Sequence, residues 1–173
     1  MLTTKQLLLV PANFETANAD LAGRVSLASA IGAVVPESWP PSLMVDALPW
    51  FAAEIGRNAS SPGWYYWYGI LAGASPVLAA SGGFKGPPDA HGTAEIGYSV
   101  LPEFQRRGLA VEMVAALSVW AFDSGAKLLV AETSPDNIPS VKVLENTGFS
   151  RCGTGVEEGS IRFCLAAPRS RVK

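Results

Sequence analysis

Between residues 94 and 110 the chain reads Ala-Glu-Ile-Gly-Tyr-Ser-Val-Leu-Pro-Glu-Phe-Gln-Arg-Arg-Gly-Leu-Ala, and two kinds of chemistry lie within it. The turn Gln105-Arg106-Arg107-Gly108-Leu109-Ala110 stands between an expected strand and an expected helix. Its small residues let a ligand approach the backbone, and the unpaired N–H groups of a helix start point outward. Such a turn suits an anion, because several donors and the positive end of the helix dipole converge there, with Arg106 and Arg107 adding charge. A simply capped loop would read the same way from these six residues alone.

The second element is Glu95. Strand alternation places it on one face with Gly97 and Ser99, where its carboxylate can act as a general base or serve as an exposed or structurally paired charge. Tyr98 falls on the opposite face and is expected in the core. No His or Lys lies between Ala94 and Phe104 to compete as the base. The lone His91 follows Pro87-Pro88-Asp89 in an expected solvated loop.

These residues need a scaffold, and hydrophobic periodicity supplies one. Residues 4–11 read as a first strand. Residues 13–29 read as a helix capped by Asn13, and 42–57 as a second helix bent or split by Pro49. Residues 64–71 and 77–84 form a hairpin across a Gly-Ala-Ser-Pro turn, and 94–100 complete a meander. The aromatic run at 64–68 either fills the sheet core or lines a groove. Residues 108–123 form a long helix with a stripe at Leu109, Met113, Ala116, Leu117 and Trp120. A strand at 127–133, a short helix at 137–147 ended by Gly148, and a C-terminal hairpin finish the chain. Element order is thus β-α-α-β-β-β-α-β-α-β-β, an α/β fold.

This arrangement, with Pro135-Asp-Asn-Ile-Pro-Ser-Val-Lys-Val-Leu-Glu-Asn-Thr-Gly-Phe149 following the second strand-helix pair, resembles the GNAT acetyltransferase superfamily and within it the RimJ/RimL-like N-acetyltransferases. The resemblance is specific from Glu95 to Phe149. It implies a single domain over residues 1–173, built on a mixed, strongly twisted sheet of six to seven strands with helices on both faces. It also implies acetyl-CoA as cosubstrate and direct acetyl transfer to a primary amine, either a peptide N-terminus or a small-molecule amine.

Carried over residue by residue, the resemblance gives the CoA pyrophosphate to Gln105, Arg106, Arg107, Gly108, Leu109 and Ala110. It lays the pantetheine arm along Ser99, Val100 and Leu101, with the Val100 N–H polarising the thioester carbonyl, and it adds cofactor contacts at Asn137 and Ser140. Two positions depart from the pattern. Gln6 stands where arginine is usual in the first strand, and Leu144 stands where many relatives carry a tyrosine that protonates the departing thiolate. The second departure supports a rival reading, a non-catalytic acyl-CoA-binding module with a regulatory role. Trp39, Trp50 and Phe51 are candidates for an apolar wall beside the acceptor.

Composition excludes other classes. Net charge is −2, and the one basic cluster, Arg169, Arg171 and Lys173, is too short to track a nucleic acid. There is no G-x-x-x-x-G-K-[S/T] and no G-x-G-x-x-G after a first strand. No stretch is apolar enough to suggest a membrane partner, the expected compartment is the cytoplasm, and a homodimer stays open. No metal is implied, since Cys152 and Cys164 lack ligand spacing. They flank a hairpin turn and are expected as free buried thiols, as is usual in a reducing compartment.

Overall fold

In a computed structural model, which describes residues 1–168, the chain folds as an eight-stranded mixed sheet with helices on both faces. The Arg169, Arg171 and Lys173 cluster lies outside the described residues. The elements are β1 (Leu2–Thr3), β2 (Leu7–Pro11), α1 (Phe14–Ala22), α2 (Arg24–Ile31), α3 (Leu48–Arg57), β3 (Tyr66–Leu71), β4 (Val77–Phe84) and β5 (Thr93–Val100). They continue with α4 (Leu109–Asp123), β6 (Leu128–Thr133), α5 (Ile138–Asn146), β7 (Ser150–Thr154) and β8 (Ile161–Ala166). Strand order is β1-β2-β3-β4-β5-β6-β8-β7, and β5–β6 is the parallel pair.

Three expected elements are divided. The first strand begins later, because Thr4 folds back on Leu7, its amide donating to the Leu7 carbonyl and its hydroxyl accepting from the Leu7 amide, and Leu2–Thr3 pairs separately as the eighth strand. Gly23, at φ 117°, ends α1 and starts α2 where one helix over 13–29 was expected. Upstream of α3, Ser42–Met44 form a single 3₁₀ turn, and Pro49 sits in the first turn of α3, where its missing N–H costs nothing.

Alternation along the strands sorts the two faces. Tyr66 and Tyr68 point toward α1 and α3: Tyr66 packs 5.3 Å from Phe51, and Tyr68 donates to the Thr16 carbonyl and lies 3.2 Å from Asp20. Trp67 and Gly69 point toward α4, where Trp67 meets Trp120 at 5.2 Å and a Cβ on Gly69 would strike Met113. Leu109, Met113, Val114, Leu117 and Ala121 make the buried stripe of α4. Trp120 instead turns toward Trp64, Trp67 and Phe84.

The cysteines correct the sequence expectation. Cys152 sits in a bulge between Arg151 and Gly153, two residues on from Ser150, the register partner of Cys164 on β8, and the two cysteines form a disulfide with Cα atoms 5.8 Å apart. Their nearness follows from the hairpin, but free thiols are not what the structure contains. A paired sulfur is no nucleophile, so acyl transfer through either cysteine is not supported.

Candidate active site

The sheet opens at β5. Its parallel pairing with β6 runs only through Thr93, Ala94 and Glu95, opposite Leu128, Leu129 and Val130. Beyond Glu95 the strand stays paired to β4 as far as Val100 and has no partner on the other edge among the described residues. Lys85 donates its amide to the Glu95 carbonyl and Leu101 donates its own to Ala79, so Glu95, Gly97, Ser99 and Leu101 direct their peptide groups at β4. By alternation those of Ile96, Tyr98 and Val100 face the opening. Of the three expected cofactor-binding peptides, Val100 therefore offers a free N–H, while Ser99 and Leu101 spend theirs inside the sheet. The Val100 carbonyl is engaged by Gln105 Nε2 at 3.0 Å, which fastens the next loop to the strand.

That loop ends at the bare N-terminus of α4. Arg106 (φ 61°) and Gly108 (φ 78°) are both left-handed, which turns successive amides outward, and no side chain among the described residues caps the helix. The N–H groups of the first helical turn, at Leu109 and Ala110, are left without intrahelical acceptors. Leu109 is buried and anchors the turn, whereas Gln105 through Gly108 are exposed. The arginines divide: Arg107 lies over the Phe104 ring at 5.4 Å and donates to the Glu103 carbonyl, while Arg106 has no side-chain partner among the described residues. An uncapped, outward-facing helix start beside an unpaired strand edge fits a pyrophosphate joined to an amide-bearing arm.

A residue that sequence reasoning missed fixes this start. The Glu112 carboxylate accepts from the amides of Gln6 (2.6 Å) and Leu7 (3.1 Å), from Gln6 Nε2 (3.0 Å) and from the Thr4 hydroxyl. Gln6 also reaches the Arg107 carbonyl at 3.3 Å. Here Gln6, where arginine was expected, ties β2 to the loop through neutral donors. Burial pushes the Glu112 carboxyl upward, but the donated hydrogen bonds outweigh it and leave the pKa lowered. A group with a depressed folded pKa contributes stability above its unfolded value of about 4.3 and loses it as pH falls through the folded pKa. Glu112→Gln should therefore cost about 1–2 kcal/mol at pH 7, within the range for hydrogen bonds to a charged group after allowing for partial exposure. Urea melts should show the difference from wild type shrinking as pH drops below about 4.

On the α1–α3 face of the opening lies a cavity of about 480 Å³ lined by Met44, Phe51, Tyr66, Glu95, Glu132 and Glu157 among others. Gly83 also borders it, and only glycine fits there, since a Cβ would lie 1.9 Å from the Tyr65 carbonyl oxygen. Glu95 pairs with Lys85, whose side chain is 69% exposed. Glu132 is committed elsewhere: it receives Arg162 Nε and Nη2 at 2.9 and 2.7 Å and the Val156 amide at 2.8 Å. Burial raises its carboxyl, yet these donors outweigh burial and the pKa is lowered. With Glu132 paired to Arg162 and Glu95 to Lys85, Glu157 leaves the cavity with a small excess of negative charge that suits a cation.

Of the three aromatic residues expected as an acceptor wall, only Phe51 lines this cavity. Trp39 is 4% exposed, donates to Asp20 and packs on Tyr68 within the core, and Trp50 lies 45% exposed outside it. Tyr98 is also corrected. It is half-buried rather than core, borders the same cavity through the opening, and places its hydroxyl 2.9 Å from Ser140 Oγ and 3.1 Å from the Ser140 carbonyl on α5. Asn137 caps α5 by accepting the Ser140 amide at 3.2 Å. Leu144 is buried at 1% exposure. Among the described residues no helix is long and apolar enough to cross a membrane, and no cluster of three or more His, Cys, Asp or Glu is placed to hold a metal.

Comparison with known proteins agrees with this geometry. The acetyltransferase (GNAT) domain family matches residues 14–150. The uncharacterized N-acetyltransferase YjdG of Bacillus subtilis is 31% identical over 112 residues, covering 64% of this chain and 66% of that protein. The aminoglycoside N(6′)-acetyltransferase type 1 of Salmonella typhimurium is 40% identical over 53 residues, 31% of this chain and 37% of that enzyme. The chain thus spans just under two thirds of the first relative and little more than a third of the second. Among solved structures, Mycobacterium smegmatis RimJ in complex with CoA-disulfide superposes with a TM-score of 0.62 over 95% of this chain and 87% of that one, at 17% identity. Likeness at that identity speaks for the fold and does not single out the RimJ/RimL branch. With the family match running from α1 to the start of β7, and the opened sheet beside an uncapped helix, the chain belongs to the GNAT acetyltransferase family.

Proposed function

We propose that the protein transfers the acetyl group of acetyl-CoA to a primary amine, directly and within a ternary complex. The observation that carries this reading is the unpaired edge of β5 past Glu95, which runs toward the bare N-terminus of α4. Acetyl-CoA supplies an activated carbonyl on a good leaving group. The rest falls to the chain. The amides from Arg106 to Ala110 and the Arg106 guanidinium hold the pyrophosphate. The edge of β5 takes the pantetheine arm as an added strand, and the Val100 N–H, which faces that edge, would polarise the thioester carbonyl. Asn137 and Ser140 border the arm from α5.

The acceptor enters from the opposite face, through the acidic cavity. An alkylammonium with a pKa of about 10 has almost no lone pair at neutral pH, so a base must take its proton, and we assign that role to Glu95, which lines the cavity. Whether the acceptor is a peptide N-terminus or a small amine such as the aminoglycoside named for the Salmonella relative, the cavity's charge favours a cation. The cytoplasm, where acetyl-CoA is available, is the compartment in which we place this activity.

The test is release of free CoA from acetyl-CoA, followed with a thiol reagent, across a panel of alanyl- and seryl-initiated peptides, diamines and an aminoglycoside. At least one amine should accelerate release well above the amine-free rate. Tight acetyl-CoA binding with no acceleration by any member would favour the non-catalytic reading.

A further inference from the structure

We propose that Tyr98 donates a hydrogen bond from its Oη to the sulfur that leaves the thioester, with Ser140 holding the phenol in position. This rests on the reading of the β5 edge as the cofactor's seat. Three observations lead to it. First, the phenol bridges the two walls of the opening, rising from β5 and meeting Ser140 on the first turn of α5. Second, Tyr98 is among the residues that line the cavity proposed for the acceptor, so the residue stands between the two substrates' sites. Third, the α5 position expected to carry a tyrosine holds Leu144, packed into the core at 1% exposure, and contributes no donor.

The contacts at Ser140 allow the phenol to switch. One arrangement donates Oη–H to the Ser140 carbonyl at 3.1 Å; in the other, Ser140 Oγ–H donates to Oη at 2.9 Å and frees the phenolic proton to turn toward sulfur. Burial pushes the Tyr98 phenol above its ordinary value, partly offset by the Ser140 hydroxyl, so the proton is present at neutral pH. Full transfer is not required. As the C–S bond breaks, its electron pair stays on sulfur and the C–N bond forms from the amine's lone pair; Glu95 holds the proton the ammonium gave up, and the second proton that nitrogen sheds on becoming an amide passes to solvent water. A thiol of pKa about 8.5 leaves as a hydrogen-bonded thiolate and takes its proton from water on release. Alternation places the two functions apart, with Glu95 on the α1–α3 face and Tyr98 on the α4–α5 face of one strand.

The experiment compares binding of CoA and of desulfo-CoA, which lacks the sulfur, by calorimetry at pH 9, above the free thiol's pKa of about 8.5. Wild type should bind CoA about tenfold more tightly than desulfo-CoA, the worth of one good hydrogen bond to a charged group. In Tyr98→Phe that ratio should fall to near one, with Ser140→Ala between the two. Turnover of Tyr98→Phe should drop about 10–100-fold, with KM for acetyl-CoA little changed. A variant that keeps the full ratio, or a wild type with no preference, overturns the proposal. So does a Tyr98→Phe protein that melts lower and loses both ligands equally, which is the mark of a structural tyrosine. If neither ligand binds wild type, the cofactor reading itself fails and this inference falls with it.

Discussion

Replacing Glu95 by Gln should leave acetyl-CoA binding intact and lower turnover by roughly 10²–10⁴, the usual contribution of a positioned general base. The substitution keeps shape and removes basicity. Its structural cost is small, because the ion pair it breaks is with Lys85, 69% exposed at the surface and free to be solvated. The other carboxylates of the cavity are poor substitutes. Glu132 has Oε1 committed to Arg162 and Oε2 to the Val156 amide, and its pKa is lowered, while Glu157 sits exposed on the β7–β8 turn. Glu95 is also the last residue of β5 still paired with β6, so its side chain stands where the sheet parts. The residual rate of the Gln variant should climb about tenfold per pH unit below the amine's pKa of about 10, as the amine deprotonates unaided, and wild type should climb less steeply. Turnover at pH 7 with the best amine of the panel is the measurement. An unchanged value in a well-folded variant would reduce Glu95 to a structural carboxylate and leave water as the base.

What could be read from the sequence divides along the range of the interactions involved. The turn from Gln105 to Ala110 was legible because an uncapped helix start is a local feature, and the face of Glu95 was legible because strand alternation is local too. The partners of both were not. Glu112 meets Gln6 across 106 positions and Tyr98 meets Ser140 across 42, distances over which no periodicity carries information. Tyr98 was assigned to the core because alternation gives a face and nothing more; which helix covers that face, and how fully, depends on packing. Gly23 was absorbed into one long helix because apolar spacing continued through it, whereas its φ of 117° breaks the ladder. The cysteines failed differently. Their proximity across the hairpin followed from the turn, but the choice between thiols and a disulfide was made from an assumed compartment rather than from geometry.

The phosphate loop offers the second large effect. Gly108→Val should abolish most of the stabilisation that acetyl-CoA confers, and the structure separates the two costs involved. Nothing lies within 4 Å of a Cβ built at Gly108, so a side chain there meets no protein atom. Its intrinsic penalty is backbone strain, since φ 78° is left-handed and disfavours β-branched residues by about 1–2 kcal/mol. Leu109 remains buried and Glu112 still binds the β1–β2 turn, so the fold should survive with a lower melting temperature. The open space that spares the protein is the space a pyrophosphate needs to approach the amides. A ligand at 100 times its Kd stabilises by about 2.7 kcal/mol, and weakening that Kd 100-fold leaves only about 0.4 kcal/mol at the same concentration. Thermal melts with and without acetyl-CoA read this directly, as a shift lost in the variant rather than a changed starting point. Gly108→Ala provides the control: it carries much of the strain but less bulk at the mouth, and should retain more of the ligand-induced shift than Val. If the Val variant folds and keeps the full shift, the pyrophosphate does not sit at the start of α4.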